Sequence, residues 1–121
     1  MRGNALSGLR RWPEAAVAFR ECIRIAWGAV CMHDLAYGLW NLPRALAHLR
    51  QPEAALQLSA FAAQFWTTHF GPLSQSDERE LMRVRRLAAC QLDAARCEAL
   101  WTQGQRLATA QAVRLALGEA C

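Results

Sequence analysis

A short segment of this chain occurs twice, and the repetition constrains the fold more than any other feature of the sequence. Residues 5–16 read ALSGLRRWPEAA and residues 45–55 read ALAHLRQPEAA, so the two Pro-Glu-Ala-Ala cores begin 39 residues apart, at Pro13 and Pro52. Proline is tolerated in the first turn of a helix, where its missing N–H has no intrahelical partner to lose. Each copy therefore predicts the end of one helix, a short turn, and a second helix opened by proline.

Apolar residues follow each proline at steps of three and four, which is the spacing of one helix face. These residues are Ala16, Phe19, Ile23 and Ala26 or Trp27 in the first copy, and Ala55, Leu58, Ala62 and Phe65 or Trp66 in the second. The chain also holds 24 alanines and 17 leucines against ten Val, Ile and Thr residues. Ala and Leu favour helix, whereas β-branched residues favour strand. We therefore predict an all-α protein.

Proline, glycine and short polar residues mark the expected helix boundaries. Residues 29–49 predict one long or broken helix that Pro43 kinks or splits, and we favour a helix to Trp40 or Asn41 followed by a second short helix from Pro43. Gly71 and Pro72 mark the clearest break in the chain. Beyond it we predict three further helices with the following signals: an N-cap at Ser76 or Asp77, a second cap at Asp93, an end at Gly104, and a last cap at Thr109.

The two copies resemble the tetratricopeptide repeat. In the first copy Trp12, Ala15, Phe19 and Cys22 match the aromatic and small positions of that repeat's second helix. The second copy matches more loosely, and Phe61 stands where a small residue is usual. The resemblance implies one domain, residues 1–121, built as an array of antiparallel helix hairpins with about six helices. It implies two repeat-like hairpins in residues 1–70, the first incomplete, and a helical C-terminal cap in residues 77–119.

Residues 29–119 also resemble the C-terminal helical region of large bacterial ATPases and LuxR-type transcriptional regulators. The order of the segments carries this resemblance: a Pro-Glu-Ala-Ala helix, an aromatic stretch, Gly-Pro-Leu-Ser, an acidic and basic helix, and a closing Ala-Val-Arg-Leu-Ala-Leu. What it implies is a scaffold or sensor segment that works in signal transduction or transcription regulation. In such proteins the nucleotide-binding and DNA-binding domains are separate, and we expect neither within these residues.

Several classes of chemistry are excluded or disfavoured by composition. All 14 basic residues are arginine, so a Walker phosphate loop and a Schiff-base lysine are impossible. Cys31 and His33 are two residues apart, and on a helix such residues point about 200° apart, which disfavours a shared metal ion. No nucleophile motif accompanies the three histidines. We predict no enzymatic activity, no cofactor and no metal.

Cysteine usage and hydropathy bear on the compartment. The five cysteines include no Cys-x-x-Cys pair, no apolar run approaches the ~20 residues of a membrane span, and no secretory signal is recognisable. We predict a cytoplasmic protein that does not interact with membranes. The basic cluster Arg79, Arg83 and Arg86 has acidic neighbours and no interleaved aromatic residue, so a solvated face is favoured over direct nucleic-acid binding.

On these grounds we predict protein or peptide binding by the inner surface of the array. If the helices curve in the usual way, the residues that line this surface are Tyr37, Trp40, Asn41, Arg44 and His48, with Arg44 offering bidentate contact to a carboxylate. Two alternatives remain open. One is a small-molecule effector site formed by Tyr37, Trp40 and Met32. The other is a structural homodimer formed through the apolar edge of the incomplete first repeat.

Overall fold

The computed structural model describes residues 11–118, and within them the chain is helical and forms no strand. The prediction of an all-α fold with about six helices is confirmed. Residues 5–10, which belong to the first copy of the repeated segment, and Cys121 lie outside the described residues. The helices are α1 (Trp12–Ala29), α2 (Met32–His48), α3 (Pro52–Phe70), α4 (Gln75–Ala89), α5 (Ala94–Gln105) and α6 (Thr109–Ala116).

The two Pro-Glu-Ala-Ala segments open equivalent helices, as their repetition predicts. Pro13 lies in the first turn of α1, and Pro52 is the first residue of α3. Both helices pack against α2, which lies between them in the chain. Their predicted apolar stripes are buried in one core, with these members: Ala16, Phe19, Ile23 and Ala26 from α1, and Ala55, Leu58, Ala62 and Phe65 from α3.

Helix α2 continues through Pro43, so the predicted break after Trp40 or Asn41 is wrong. The missing N–H of Pro43 deprives one carbonyl of the preceding turn of its usual donor. Pro43 is nevertheless buried, as are its neighbours Leu42 and Leu46. Burial of this face between α1 and α3 stabilises the continuous helix by more than the lost hydrogen bond costs.

The caps of the later helices follow their local hydrogen bonds. Ser74, two residues before the predicted position, is the N-cap of α4, and its Oγ accepts from the N–H of Asp77 at 3.1 Å. Asp93 caps α5 as predicted, with its Oδ1 2.7 Å from the N–H of Arg96. Helix α6 begins after Ala108, whose N–H donates to the side chain of Gln111 at 2.8 Å, so the predicted Thr109 cap is displaced by one residue.

Helix α3 is buried on two sides. One side faces the core shared with α1, α2 and α6, while Leu56 packs on the other side with Ala88 and Leu100. The second side meets α5 at Gly104, where an added Cβ would overlap the carbonyl oxygen of Gln57. Gly104 is the second-last residue of α5, so the helix ends one residue beyond the predicted position. Its function is to let the two helix backbones approach closely.

The last helix returns to the first. Ala112, Val113 and Ala116 of α6 join the core formed by α1, α2 and α3. The Nε of Arg20 in α1 donates to the carbonyl oxygen of Ala116 at 2.9 Å, at the C-terminal end of α6, where cationic donors are favoured. Helix α6 therefore covers the paired repeat helices. Among residues 11–118, no helix combines the length and apolar character needed to cross a bilayer.

Substitution of Gly104 by Ala tests the contact between α3 and α5. Because the new methyl group would overlap the backbone of Gln57, we expect the free energy of unfolding to fall by about 1–3 kcal/mol. Gly28→Ala is the matched control, since nothing lies within 4 Å of its added Cβ, and there we expect no loss and a gain of up to about 1 kcal/mol. Urea denaturation measures both. Equal effects would contradict the close approach.

Val30, at the end of α1, adopts the left-handed conformation with φ 55°. A β-branched residue is strained there by about 1–2 kcal/mol, and its side chain is 73% exposed, so little burial offsets the strain. We expect Val30→Gly to raise the free energy of unfolding by about 1 kcal/mol. Val17→Gly, at an exposed position inside α1, should lower it by a similar amount. Thermal denaturation should show a higher melting temperature for Val30→Gly and a lower one for Val17→Gly. A loss of stability in Val30→Gly would contradict the strained left-handed conformation of Val30.

Candidate functional site

A groove of about 350 Å³ runs between α2 and α4, with one side chain of α3 at its base. Its walls combine aromatic rings, an amide, a guanidinium, a hydroxyl and two carboxylates. Helix α2 contributes residues at the i, i+3, i+4 and i+7 positions of one face, and α4 contributes residues from its first two turns. The lining residues are Tyr37, Trp40, Asn41, Arg44, Trp66, Ser76, Asp77 and Glu80.

Two polar contacts hold α4 against α2. The Nη1 of Arg44 lies 3.3 Å from the Oε1 of Glu80, and both side chains are about one-third exposed or less. Farther along, the Nε2 of Gln91 donates to the carbonyl oxygen of Ala47 at 3.0 Å. The first contact lies in the groove and the second lies beyond the end of α4. Together they fix how far apart the groove walls stand.

Arg44 makes two contacts that orient its guanidinium. Besides its ion pair with Glu80, the guanidinium lies over the ring of Trp12, 5.3 Å from the centroid. Cation–π contact of this kind adds to the ion pair. Its Nε is buried and has no hydrogen-bond partner among the described residues. The bidentate contact to an incoming carboxylate predicted for Arg44 therefore has to compete with Glu80.

The other predicted residues occupy different environments. The Nδ2 of Asn41 donates to the carbonyl oxygen of Tyr37 at 2.8 Å, so this amide group is turned toward its own helix. His48 does not line the groove: its ring stacks on Trp12 with centroids 4.1 Å apart and planes 3° apart. The structure thus brings four of the five predicted residues into one groove and leaves His48 beside it.

Tyr37 lies partly buried at the groove wall, against the ring of Phe19. Burial first, and then the charge of a Cys22 thiolate, raise the pKa of Tyr37 above its usual 10.0. Burial and the nearby charge of Asp34 likewise raise the pKa of Cys22 above 9.0. At neutral pH both groups are therefore protonated, and the Tyr37 phenol is a neutral hydrogen-bonding group.

An aromatic row extends from the groove toward the end of the molecule. The rings of Trp40 and Trp66 lie 6.3 Å apart, and Trp66 lies 5.1 Å from Phe70. His33 packs edge-on against Phe70 at 5.6 Å. Phe70 is exposed at the outer end of this row, and Met32, the first residue of α2, is also exposed and is not among the residues that line the groove. The two tryptophans thus present a broad apolar surface to the groove.

The described residues contain no cluster that would support metal binding. In residues 11–118 no three His, Cys, Asp or Glu side chains converge as metal ligands. The Nδ1 of His33 lies 3.9 Å from the Oδ1 of Asp34 on an exposed surface. The absence of enzymatic activity, cofactor and metal stays a prediction.

Four groove residues were not predicted as site residues: Trp66, Ser76, Asp77 and Glu80. Trp66 follows Phe65 in the apolar stripe of α3 and reads as a core residue. The two acids read as helix-dipole partners in the first turn of α4. Their common signal is the i, i+3 spacing of Asp77 and Glu80, which places both carboxylates on one face. That face could be assigned to a groove only once α4 was known to lie beside α2.

The basic residues of α4 point away from the groove. Arg79, Arg83 and Arg86 are exposed on the outer face, where Arg83 lies 3.5 Å from Glu80. Arg85 lies 4.2 Å above the ring of Trp101 and 3.4 Å from Glu98 of α5. Two of these arginines are thus partly paired within the protein.

No protein-family model, curated protein sequence or solved structure matches this chain. The class of the domain therefore follows from its own fold and groove: an all-α domain with an aromatic and charged groove between two helices.

A double-mutant cycle tests the ion pair in the groove. We expect Arg44→Met and Glu80→Gln to show a coupling energy of about 0.5–1 kcal/mol in urea denaturation, because both side chains are partly shielded from solvent. The control cycle pairs Glu80→Gln with Arg83→Met. There the arginine is 60% exposed, and we expect a coupling of only a few tenths of a kcal/mol. Equal couplings in the two cycles would contradict a specific role for Arg44.

Proposed function

We propose that this domain is a non-catalytic scaffold or sensor segment that binds a protein or peptide in the groove between α2 and α4. The observation that carries the proposal is the composition of the groove walls. Two tryptophans and a tyrosine supply contact area, while two carboxylates, a guanidinium and a hydroxyl supply polar groups. Trp and Tyr are the residue types most enriched in the energetic centres of interfaces.

The groove is also preformed in a way that suits recognition. Arg44 and Glu80 join its walls, and Asn41 and Tyr37 are held by their own contacts. A partner that enters it pays little to order these side chains. A linear peptide fits this geometry better than a flat protein surface, because the groove is bounded by helices on two sides.

The wider context of the proposal rests on the resemblances described above. We infer that the domain belongs to a bacterial signalling or transcriptional regulator, in which it joins a protein partner to neighbouring domains. The four described cysteines are free thiols, which supports a reducing, cytoplasmic location. Two of the α4 arginines, Arg83 and Arg85, are paired with acids, which supports a protein partner over direct contact with nucleic acid.

A small-molecule effector is the second candidate, and the size of the groove favours it. At about 350 Å³, the groove lies at the lower end of the range of about 300–1,000 Å³ found for small-molecule sites. The polar character of the α4 wall favours the peptide instead, since such sites are mostly apolar. Homodimerisation is the third candidate, supported by Val17 and Ile25, which are 66% and 63% exposed on α1.

Selection from a displayed library of random linear peptides tests the proposal. We expect enriched peptides to bind the domain and to lose at least about tenfold in affinity when Ser76→Arg fills the groove. Thr102→Arg adds the same charge to an exposed site on α5 and should leave the affinity unchanged. Fluorescence anisotropy measures both.

Three outcomes would contradict the proposed binding of a peptide in the groove. Enrichment of no sequence, or equal binding by the two variants, would reject the groove as a peptide site. Sedimentation of the unsubstituted protein as a stable dimer that Ile25→Arg dissociates would favour the homodimer instead.

A further inference from the structure

Asp77 is the groove carboxylate that has no cationic partner among residues 11–118. It is half-buried in the first turn of α4, and no arginine or histidine of residues 11–118 lies within ion-pair distance of it. Glu80, one turn farther along the same helix, has two such partners, Arg44 and Arg83. Asp77 lies in the first turn of α4, where the helix dipole favours a negative charge.

The groove is therefore locally acidic in a basic chain. Its lining contains two carboxylates, Asp77 and Glu80, against one guanidinium, that of Arg44. The whole chain has a formal charge of +4. Glu80 is paired with Arg44, which also contacts the ring of Trp12, so Asp77 is the lining carboxylate without an ion pair among the described residues. An occupant that carries a positive charge is complementary to this part of the groove.

The aromatic rings beside Asp77 favour the same occupant. Trp40 and Trp66 lie 6.3 Å apart with their planes at 47°, and Tyr37 lines the same groove. Cations bind the faces of such rings, with Trp the most favourable of them. The protein uses this contact twice internally, at Arg44 over Trp12 and at Arg85 over Trp101. Within the described residues, no arginine covers Trp40 or Trp66 in this way.

We propose that this end of the groove, formed by Tyr37, Trp40, Trp66 and Asp77, holds the positively charged side chain of an arginine or lysine in the bound peptide. The rings would contact the cation and its aliphatic stem, and the carboxylate would accept its hydrogen bonds. The inference rests on the proposed function, because it takes the occupant to be a peptide. A free amine or guanidinium compound shares this chemistry, and the experiment below separates the two sources.

Paired peptide probes test the proposal on the unsubstituted protein. The first probe is the capped peptide Gly-Gly-Arg-Gly-Gly, and the second carries citrulline, the neutral isostere, in place of arginine. Two-dimensional NMR resolves the indole N–H signals of the tryptophans, and Trp40→Phe and Trp66→Phe variants assign the two that matter. We expect the arginine peptide to shift both signals at millimolar concentration and the citrulline peptide to leave them unmoved.

A matched pair of variants locates the charge. Asp77→Asn keeps the shape of the side chain and removes its charge, and we expect it to weaken binding of the arginine peptide by about tenfold. Glu78→Gln removes an exposed acid from the same turn of α4, and we expect a change within about twofold. The comparison of arginine with citrulline needs no variant, so the proposal stays testable even if Asp77→Asn is unstable.

The proposal fails if both peptides shift the indole signals equally, if neither does, or if Asp77→Asn binds as tightly as the unsubstituted protein. Agmatine, a free guanidinium compound, separates the two sources. Asp77-dependent shifts with agmatine but with neither peptide would overturn the proposal, since the occupant would then be a free cation. Library peptides that bind the groove without arginine or lysine would also overturn it, while leaving the peptide-binding function intact.

Discussion

The two-sided burial of α3 is the constraint on which the rest of the structure depends. On one side its apolar stripe meets α2 and, with α1 and α6, forms the main core. On the other side Leu56 and the close approach at Gly104 hold α5. A helix that is apolar on two faces has to be enclosed. Its enclosure determines which helices lie beside one another: α2 and α4 both pack on α3, and the space left between them is the groove.

Polar contacts join the two walls of the groove at positions where apolar packing does not. The pair of Arg44 and Glu80 and the hydrogen bond from Gln91 to Ala47 connect α2 with α4. Exposed ion pairs contribute little to stability, and this one is only partly shielded. Its main effect is on position: it draws Arg44 toward α4 and Trp12 and leaves the faces of Trp40 and Trp66 without a cation from the described residues. The same contact thus stabilises the groove and defines its chemistry.

The features that could be predicted from the sequence are those that depend on neighbouring residues in the chain. The stripes after Pro13 and Pro52 depend on helix periodicity alone, and they are buried as predicted. Pro43 was misread because its local preference favours a helix break, whereas its enclosure in the core decides the outcome. Gly104 was read only as a helix end, although its position also admits the backbone of Gln57. Asp77 and Trp66 belong to helices whose relative position depends on α3, so no local pattern could bring them together.

The distribution of charge also explains why a cationic ligand would bind one site on a basic protein and not others. The net charge of +4 repels cationic ligands at long range, but this repulsion falls off within about 8 Å at physiological salt. Inside the groove the lining carboxylate without an ion pair among the described residues is Asp77, and the adjoining rings replace water with polarisable surface, which strengthens the attraction. A basic side chain is therefore disfavoured over the outer, arginine-bearing face of α4 and favoured on its inner face. One helix thus carries both the surface that excludes such a ligand and the carboxylate that would hold it.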